Sequence, residues 1–80
     1  MSRITIEFKS PEQLWAFVRL YRGTPGFFGT RNPNYSGQVV ADCSLGSGVY
    51  KWVYLERECV KDFRQLGEDV MLLGGKIIAG

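Results

Sequence analysis

The two thiols are the most reactive side chains of this sequence, and their surroundings argue against catalysis. Cys43 and Cys59 stand far apart without a CxxC pair, and the chain contains no histidine. A nucleophilic cysteine needs a neighbouring base or cation, and only Arg57 and Lys61 lie near Cys59 in the sequence. A metal site needs clustered Cys, His or carboxylate ligands. We therefore expect structural thiols, no metal, no cofactor and no enzymatic activity.

The glycine-rich segment and the paired carboxylates also fail to form catalytic motifs. The segment GTPGFFG at residues 23–29 lacks the final GK[ST] of a phosphate-binding loop, and it follows a predicted helix instead of a strand. Glu68 and Asp69 are adjacent on a predicted helix, so their side chains point apart. Such a pair is typical of a solvated helix face. These observations favour a binding role over bond-making chemistry.

Aromatic side chains are the compositional feature that indicates binding. Five Phe, four Tyr and two Trp occur among 80 residues, which form one predicted domain over residues 1–80. A chain of this length buries only about 60 to 65% of its unfolded surface, so some rings are expected outside the core.

The net charge of +2 is small for a binder of duplex DNA. Residues 1–35 carry five cations and two anions, so the basic excess lies around the first predicted helix.

We expect neither a leader nor a membrane segment in this chain. Its start, MSRITIEFKS, carries Arg3, Glu7 and Lys9 and lacks the apolar stretch of a secretory signal. No apolar run approaches the roughly 18 residues of a membrane helix. Two cysteines are too few for a disulfide scaffold. We therefore expect a cytoplasmic protein with no membrane partner.

The first half of the chain predicts a strand, a helix and a long loop. Residues 3–8, RITIEF, alternate between apolar and polar side chains, as a half-buried strand does. Ser10 and Pro11 are typical of an N-cap and a first helical residue. An apolar stripe at helical spacing follows, formed by Leu14, Phe17, Val18 and Tyr21. Gly23 is predicted to end the helix. The loop at residues 23–37 is long for a compact domain, and such loops are usually functional or disordered.

The second half of the chain predicts two strands, a helix and a short closing strand. Residues 38–44 and 49–56 are the strands, and Gly46–Ser47 resembles a two-residue hairpin turn. The helix is predicted within residues 58–73, where no capping residue precedes Lys61 to define its start, and its apolar stripe consists of Cys59, Phe63, Leu66, Val70 and Leu73. Gly74–Gly75 ends it, and KIIAG closes the order β-α-β-β-α-β. This order predicts an α+β, ferredoxin-like split β-α-β sandwich, an antiparallel sheet with two helices on one face.

The predicted third strand can bury only one of its two faces. A turn at Gly46–Ser47 places Ala41 opposite Trp52, and a small residue opposite a large ring favours a core that contains the rings. In the alternative, the rings lie on the open face, and Lys51 points inwards, which is costly unless its ammonium reaches solvent at an edge. That alternative buries Val40, Val49, Val53 and Leu55. We therefore expect the rings of Tyr50, Trp52 and Tyr54 to be buried.

Protein binding agrees best with the candidate residues. The loop at 23–37 places aromatic rings around an arginine, a composition enriched at binding hot spots, namely Phe27, Phe28, Arg31 and Tyr35. Trp15, Arg19 and Arg22 on the outer face of the first helix extend this patch. The alternative is that Phe27 and Phe28 fold back over the edge of the core, as residues of Ω-loops do.

We therefore expect a non-enzymatic binding protein that occludes a partner's surface as an inhibitor or adaptor. Phage-encoded inhibitors of host systems, with anti-CRISPR proteins among them, are one class of such chains. This comparison rests on size and character, because no motif of the sequence supports it.

Binding of single-stranded RNA or DNA is the alternative function. RNA-recognition modules share this element order and stack bases on rings of the central strands. The residues would be Tyr50, Lys51, Trp52, Tyr54 and Arg57. The third strand lacks the glycine-aromatic pattern of those modules, and Glu7 would repel phosphate. A third alternative is a homodimer formed through an exposed sheet edge.

Overall fold

The computed structural model describes residues 3–22, 33–43 and 51–80. The strands are β1 at Arg3–Glu7, β2 at Val40–Cys43, β3 at Lys51–Glu56 and β4 at Lys76–Ala79. The helices are α1 at Pro11–Arg22 and α2 at Phe63–Leu72, and a short 3₁₀ helix at Arg57–Cys59 follows β3. The predicted element order is confirmed. The predicted turn at Gly46–Ser47 lies outside the described residues.

The four strands form one antiparallel sheet with the order β2-β3-β1-β4. Each neighbouring pair is antiparallel, so β1 and β2 run parallel with β3 between them. In the same way, β3 and β4 run parallel with β1 between them. These two interleaved β-α-β units, with both helices on one face of the sheet, confirm the predicted ferredoxin-like α+β arrangement.

Helix α1 begins as its sequence predicts. The Ser10 hydroxyl accepts a hydrogen bond from the backbone N–H of Gln13 at 3.2 Å, which satisfies one of the free donors of the first turn. Pro11 is the first helical residue, where its missing N–H costs nothing. The predicted apolar stripe is buried against the sheet, and it consists of Leu14, Phe17, Val18 and Tyr21.

Helix α2 begins at Phe63, within the predicted segment 58–73, and this fixes the start that the sequence left open. Asp62 is its N-cap, and the carboxylate accepts hydrogen bonds from the backbone N–H groups of Arg64 and Gln65. Cys59 belongs to the preceding 3₁₀ helix, and Phe63 at the first turn is 44% exposed. The buried side chains of α2 are Leu66 and Val70.

The predicted end of α2 at the Gly74–Gly75 pair is confirmed. The N–H of Gly75 bonds to the carbonyl of Val70, and the N–H of Gly74 bonds to that of Met71, which is the Schellman arrangement. Gly74 has a φ of 74°, a left-handed conformation that glycine adopts without strain. The chain then enters β4, the edge strand next to β1.

The core lies between the sheet and the two helices, and a row of aromatic rings runs through it. Phe8 contacts Phe17, Phe17 stacks on Tyr21 with 4.5 Å between ring centroids, and Tyr21 lies 6.1 Å from Tyr35. All four are buried. Neither α1 nor α2, the two helices of the described ranges, has the length and apolarity needed to cross a membrane.

The expected burial of the β3 rings is wrong. Val53 and Leu55 are fully buried, whereas Trp52 and Tyr54 are only partly buried and point to the other face of the sheet. The pairing explains the difference: Trp52 lies opposite Asp42 and not opposite Ala41. This pairing differs from the expected one by one residue, and a shift of one residue exchanges the two faces of a strand.

Lys51 shows why burial of Val53 and Leu55 is tolerated. It shares their side of β3, but it is the first residue of the strand, and its ammonium donates a hydrogen bond to the carbonyl of Lys9 at 2.8 Å. The charge therefore reaches the edge of the core instead of entering it. Val40 is 46% exposed on the opposite face, so the alternative arrangement was also wrong at this residue.

Candidate functional site

The loop candidates of the sequence divide into three residues that lie outside the described ranges and one that is buried. Phe27, Phe28 and Arg31 are outside the described residues. Tyr35 is 2% exposed and packs in the core, so the expectation that its ring is displayed is corrected. Its ring completes the row of core aromatics beside Tyr21.

Polar contacts explain why Tyr35 is inside. Its hydroxyl accepts a hydrogen bond from the backbone N–H of Glu56 at 2.9 Å and donates one to the carbonyl of Gln38. A buried phenol with both bonds satisfied costs little to bury. Burial raises the pKa of Tyr35 above its ordinary value, so the hydroxyl stays protonated.

Asn34 holds the same segment against the start of α2. Its side-chain carbonyl accepts from the N–H of Asp62 at 2.7 Å, and its amide donates to the Asp62 carbonyl at 2.9 Å. The amide also donates to the Tyr21 hydroxyl at 3.3 Å. Asn34 is 8% exposed, and these bonds make it a structural residue that fixes the chain after the 23–32 segment.

Trp15, Arg19 and Arg22 form an exposed group on α1, which we call the α1 surface. Their spacing of four and three residues places them on one flank of the helix. All three are exposed, and Trp15 is 46% exposed. The structure therefore brings together the helix residues that the sequence singled out.

The α1 surface faces away from α2. Gln13 lies on the opposite flank of α1, and its side chain approaches Gly74 in the turn between α2 and β4. Helical rotation of about 100° per residue then directs Trp15 to the side of β2. The two arginines lie in the last turn of α1, where the helix dipole favours cations.

A second exposed group lies on the face of the sheet opposite the helices, which we call the open sheet face. Its side chains form rows across the strands because paired residues point the same way. One row contains Asp42, Trp52, Glu7 and Lys76, and the next contains Val40, Tyr54, Thr5 and Ala79. In the third row Glu56 pairs with Arg3.

Trp52 lies between two carboxylates on this face. Glu7 of β1 and Asp42 of β2 are its direct cross-strand partners. The indole N–H of Trp52 donates to a carboxylate oxygen of Glu7 at 3.3 Å. Glu7 and Asp42 are exposed and Trp52 is half-buried, so the row is accessible to solvent.

Tyr54 already carries a cation from its own chain. The guanidinium of Arg3 lies 4.4 Å from the centre of the Tyr54 ring, within the range of a cation–π contact. Both residues line a shallow depression of about 510 Å³, to which Glu56 and Glu58 contribute carboxylates.

The structure does not gather the cations of the nucleic-acid alternative around these rings. Lys51 points to the helix side of the sheet. Arg57 lies in the 3₁₀ helix, with its guanidinium 5.2 Å from the centre of the Phe63 ring. Tyr50 is outside the described residues. Of the five residues of that alternative, Trp52 and Tyr54 lie together on the open sheet face.

Cys59 has the surroundings of a structural thiol. It is a free thiol, and its Sγ donates to a carboxylate oxygen of Glu56 at 3.4 Å. Desolvation and the neighbouring Glu56 raise the pKa of Cys59, which disfavours the nucleophilic thiolate. Within residues 3–22, 33–43 and 51–80, no three thiol or carboxylate groups come together as metal ligands.

Sequence reasoning missed the pairing that places Asp42 beside Trp52. Glu7 was expected on this face from the alternation of β1, but the position of Asp42 depends on the register between β2 and β3. Polar side chains at both partners of an aromatic residue indicate an exposed face, and this pattern could have identified the register.

Comparison of the chain with protein-family models, with curated proteins and with solved structures finds no match.

Proposed function

We propose that this protein is a small, non-enzymatic, cytoplasmic binding module that occludes the surface of a partner protein as an inhibitor or adaptor. The observation that supports this function best is the α1 surface, where Trp15 is 46% exposed beside Arg19 and Arg22. Tryptophan and arginine are the residue types most enriched among binding hot spots. A phage-encoded inhibitor of a host system is the kind of protein that we propose.

The aromatic content supports the same function. Of the rings in the described ranges, Phe8, Phe17, Tyr21 and Tyr35 are buried, and the other four are partly or fully exposed. Those four are Trp15, Trp52, Tyr54 and Phe63. An exposed ring leaves apolar surface in contact with water until a partner covers it, so rings outside the core favour a contact role.

The test is capture of a partner by variants of the α1 surface. We expect Trp15→Ala, and separately Arg19→Ala with Arg22→Ala, to lower the affinity for the captured protein roughly tenfold or more, as hot-spot residues do. Phe28→Ala and Arg31→Ala test the part of the sequence-predicted patch that lies outside the described residues. Thermal unfolding of each variant shows whether the fold is retained.

Two exposed residues of α2 provide matched controls. Leu72 is 84% exposed, and Arg64 has an exposed side chain, so Leu72→Ala and Arg64→Ala remove the same kinds of groups from another surface. The proposal predicts full capture by both. Equal loss of partner capture in the α1 variants and the controls would contradict the proposal. Full capture by all of the variants would contradict it as well.

Self-association is the second candidate, and the edge strand β4 favours it. Ile77 and Ile78 are 43% and 42% exposed on this strand, and exposed apolar edges pair readily with another copy. Sedimentation tests this candidate: a dimer that Ile78→Lys converts to a monomer would support it, and a wild-type monomer at high concentration would contradict it.

A further inference from the structure

We propose that the open sheet face binds a positively charged protein segment, whose arginine or lysine groups lie against Trp52 between the carboxylates of Glu7 and Asp42. The site lies on the opposite side of the sheet from α1. It therefore goes beyond the function proposed for the α1 surface, and either surface can bind without the other.

The sheet pairing sets the geometry of this site. Glu7 and Asp42 are the residues directly opposite Trp52 on the two neighbouring strands. Side chains in such positions have Cβ atoms about 4.5–5.5 Å from the residue opposite, so a basic segment that crosses Trp52 meets one carboxylate on each side of the indole. Tryptophan is the aromatic side chain that attracts cations most strongly. The bond from the indole N–H to Glu7 helps to fix the orientation of the ring.

Arg3 shows the same chemistry within the chain. Its guanidinium lies over Tyr54 at 4.4 Å, and the residue opposite Arg3 on β3 is Glu56. Cation, ring and carboxylate therefore already occur together one row away from Trp52. A guanidinium supplied by a partner would reproduce this arrangement at Trp52, with two carboxylates in place of one.

The charge of the face selects a cationic occupant. Among the residues that the structure describes, the four strands and the depression beside Tyr54 present four carboxylates and two cations to this face, the carboxylates being those of Glu7, Asp42, Glu56 and Glu58. The cations are Arg3 and Lys76. The whole chain has a net charge of +2, so the described residues of this face carry a net charge of the opposite sign to the molecule. It attracts basic segments and repels phosphate.

The test uses Trp52 fluorescence in the full chain carrying Trp15→Phe, which leaves Trp52 as the single tryptophan. The probes are hexa-arginine and, in parallel, single-stranded oligo-dT. We expect hexa-arginine to change the Trp52 emission saturably at 0.15 M salt. Replacing Glu7→Gln together with Asp42→Asn should weaken this binding about tenfold, since each exposed charge pair contributes a modest amount.

A second double variant controls for total charge. Glu12→Gln with Glu68→Gln also removes two exposed carboxylates, but from the helices, and should leave the affinity unchanged. Thermal unfolding of both double variants shows that the fold is retained. Three results would overturn the proposal: no saturable change with hexa-arginine, equal weakening by both double variants, or saturable binding of oligo-dT in its place.

Discussion

The Tyr21 hydroxyl donates a hydrogen bond to the Asp69 carboxylate at 2.7 Å, and this contact joins α1 to α2. The same hydroxyl accepts from the Asn34 amide, and the Asn34 side chain bonds to the backbone of Asp62 at the start of α2. One phenol thus links both helices to the chain segment that precedes β2. Both candidate surfaces depend on a framework that this network helps to hold.

Removing this hydroxyl should destabilise the protein without disturbing its fold. Tyr21→Phe leaves the ring stack on Phe17 but deletes the bond to Asp69, so we expect a loss of about 1 kcal/mol in the free energy of unfolding. Chemical denaturation measures it. Tyr54→Phe on the open sheet face is the control and should change stability by less than about 0.5 kcal/mol. An equal effect of both variants would contradict the structural role of Tyr21.

The same tyrosine predicts a loss of stability at alkaline pH. Burial, followed by the bond to Asp69, raises the pKa of Tyr21 above its ordinary value of 10.0. Because the folded-state pKa lies above the unfolded one, the stabilisation is fully present below the unfolded pKa and is lost as the pH rises above it.

Denaturation at pH 8 and at pH 10.5 tests this prediction. The difference in stability between wild type and Tyr21→Phe should become smaller at the higher pH, because the variant cannot ionise at this position. Burial raises the pKa of Tyr35 in the same direction, so the wild type and the variant should both retain some alkaline loss. A constant difference across this range would show that Tyr21 does not titrate as described.

Two glycines of α2 and its C-terminal turn should respond to alanine in opposite directions. Gly74 has a φ of 74°, and an added Cβ would meet the Gln13 side chain, so Gly74→Ala should lower stability by about 1–2 kcal/mol. Gly67 lies inside α2 with no heavy atom within 4 Å of an added Cβ, so Gly67→Ala should raise stability by about 0.5–1 kcal/mol. The melting temperatures of the two variants show whether each substitution raises or lowers stability. Changes of the same sign would contradict the described end of α2.

Cys59 should react slowly with thiol reagents. In a Cys43→Ser background, labelling at pH 7 should be roughly tenfold slower in the folded protein than in denaturant, because desolvation and Glu56 raise the pKa of the thiol. Glu56→Gln should accelerate the labelling. Fast labelling of the folded chain, unchanged by Glu56→Gln, would point to a reactive cysteine and reopen a catalytic role.

Local patterns predict the elements of this chain better than its pairings. The stripe of α1, its Ser10 cap and the Gly74–Gly75 stop are properties of short segments, and the structure confirms them. The sequence left the start of α2 open, because its apolar spacing does not identify Asp62 as the N-cap. Which residue becomes the N-cap depends on where the preceding 3₁₀ helix ends, and the spacing of apolar residues does not show that position.

The candidate surfaces were predicted to the extent that they depend on one element. The α1 surface follows from helical spacing alone, and the structure shows its three residues exposed on one flank. The open sheet face depends on the register of three strands, and an error of one residue between β2 and β3 placed its rings in the core. The burial of Tyr35 was not predicted because it depends on Glu56, a partner 21 residues away in the sequence, as well as on the nearby Gln38.

Photo-crosslinking from α1 is the sharpest test of whether this chain acts by binding a protein. A crosslinking residue at position 12 lies one turn before Trp15 on the same flank, and the same residue at position 68 on α2 is the control, since Glu12 and Glu68 are both exposed. In source cells, we expect a covalent adduct with one defined protein from position 12 and none from position 68. Adducts of equal yield from both positions, an adduct with nucleic acid, or no adduct from position 12 would contradict this expectation.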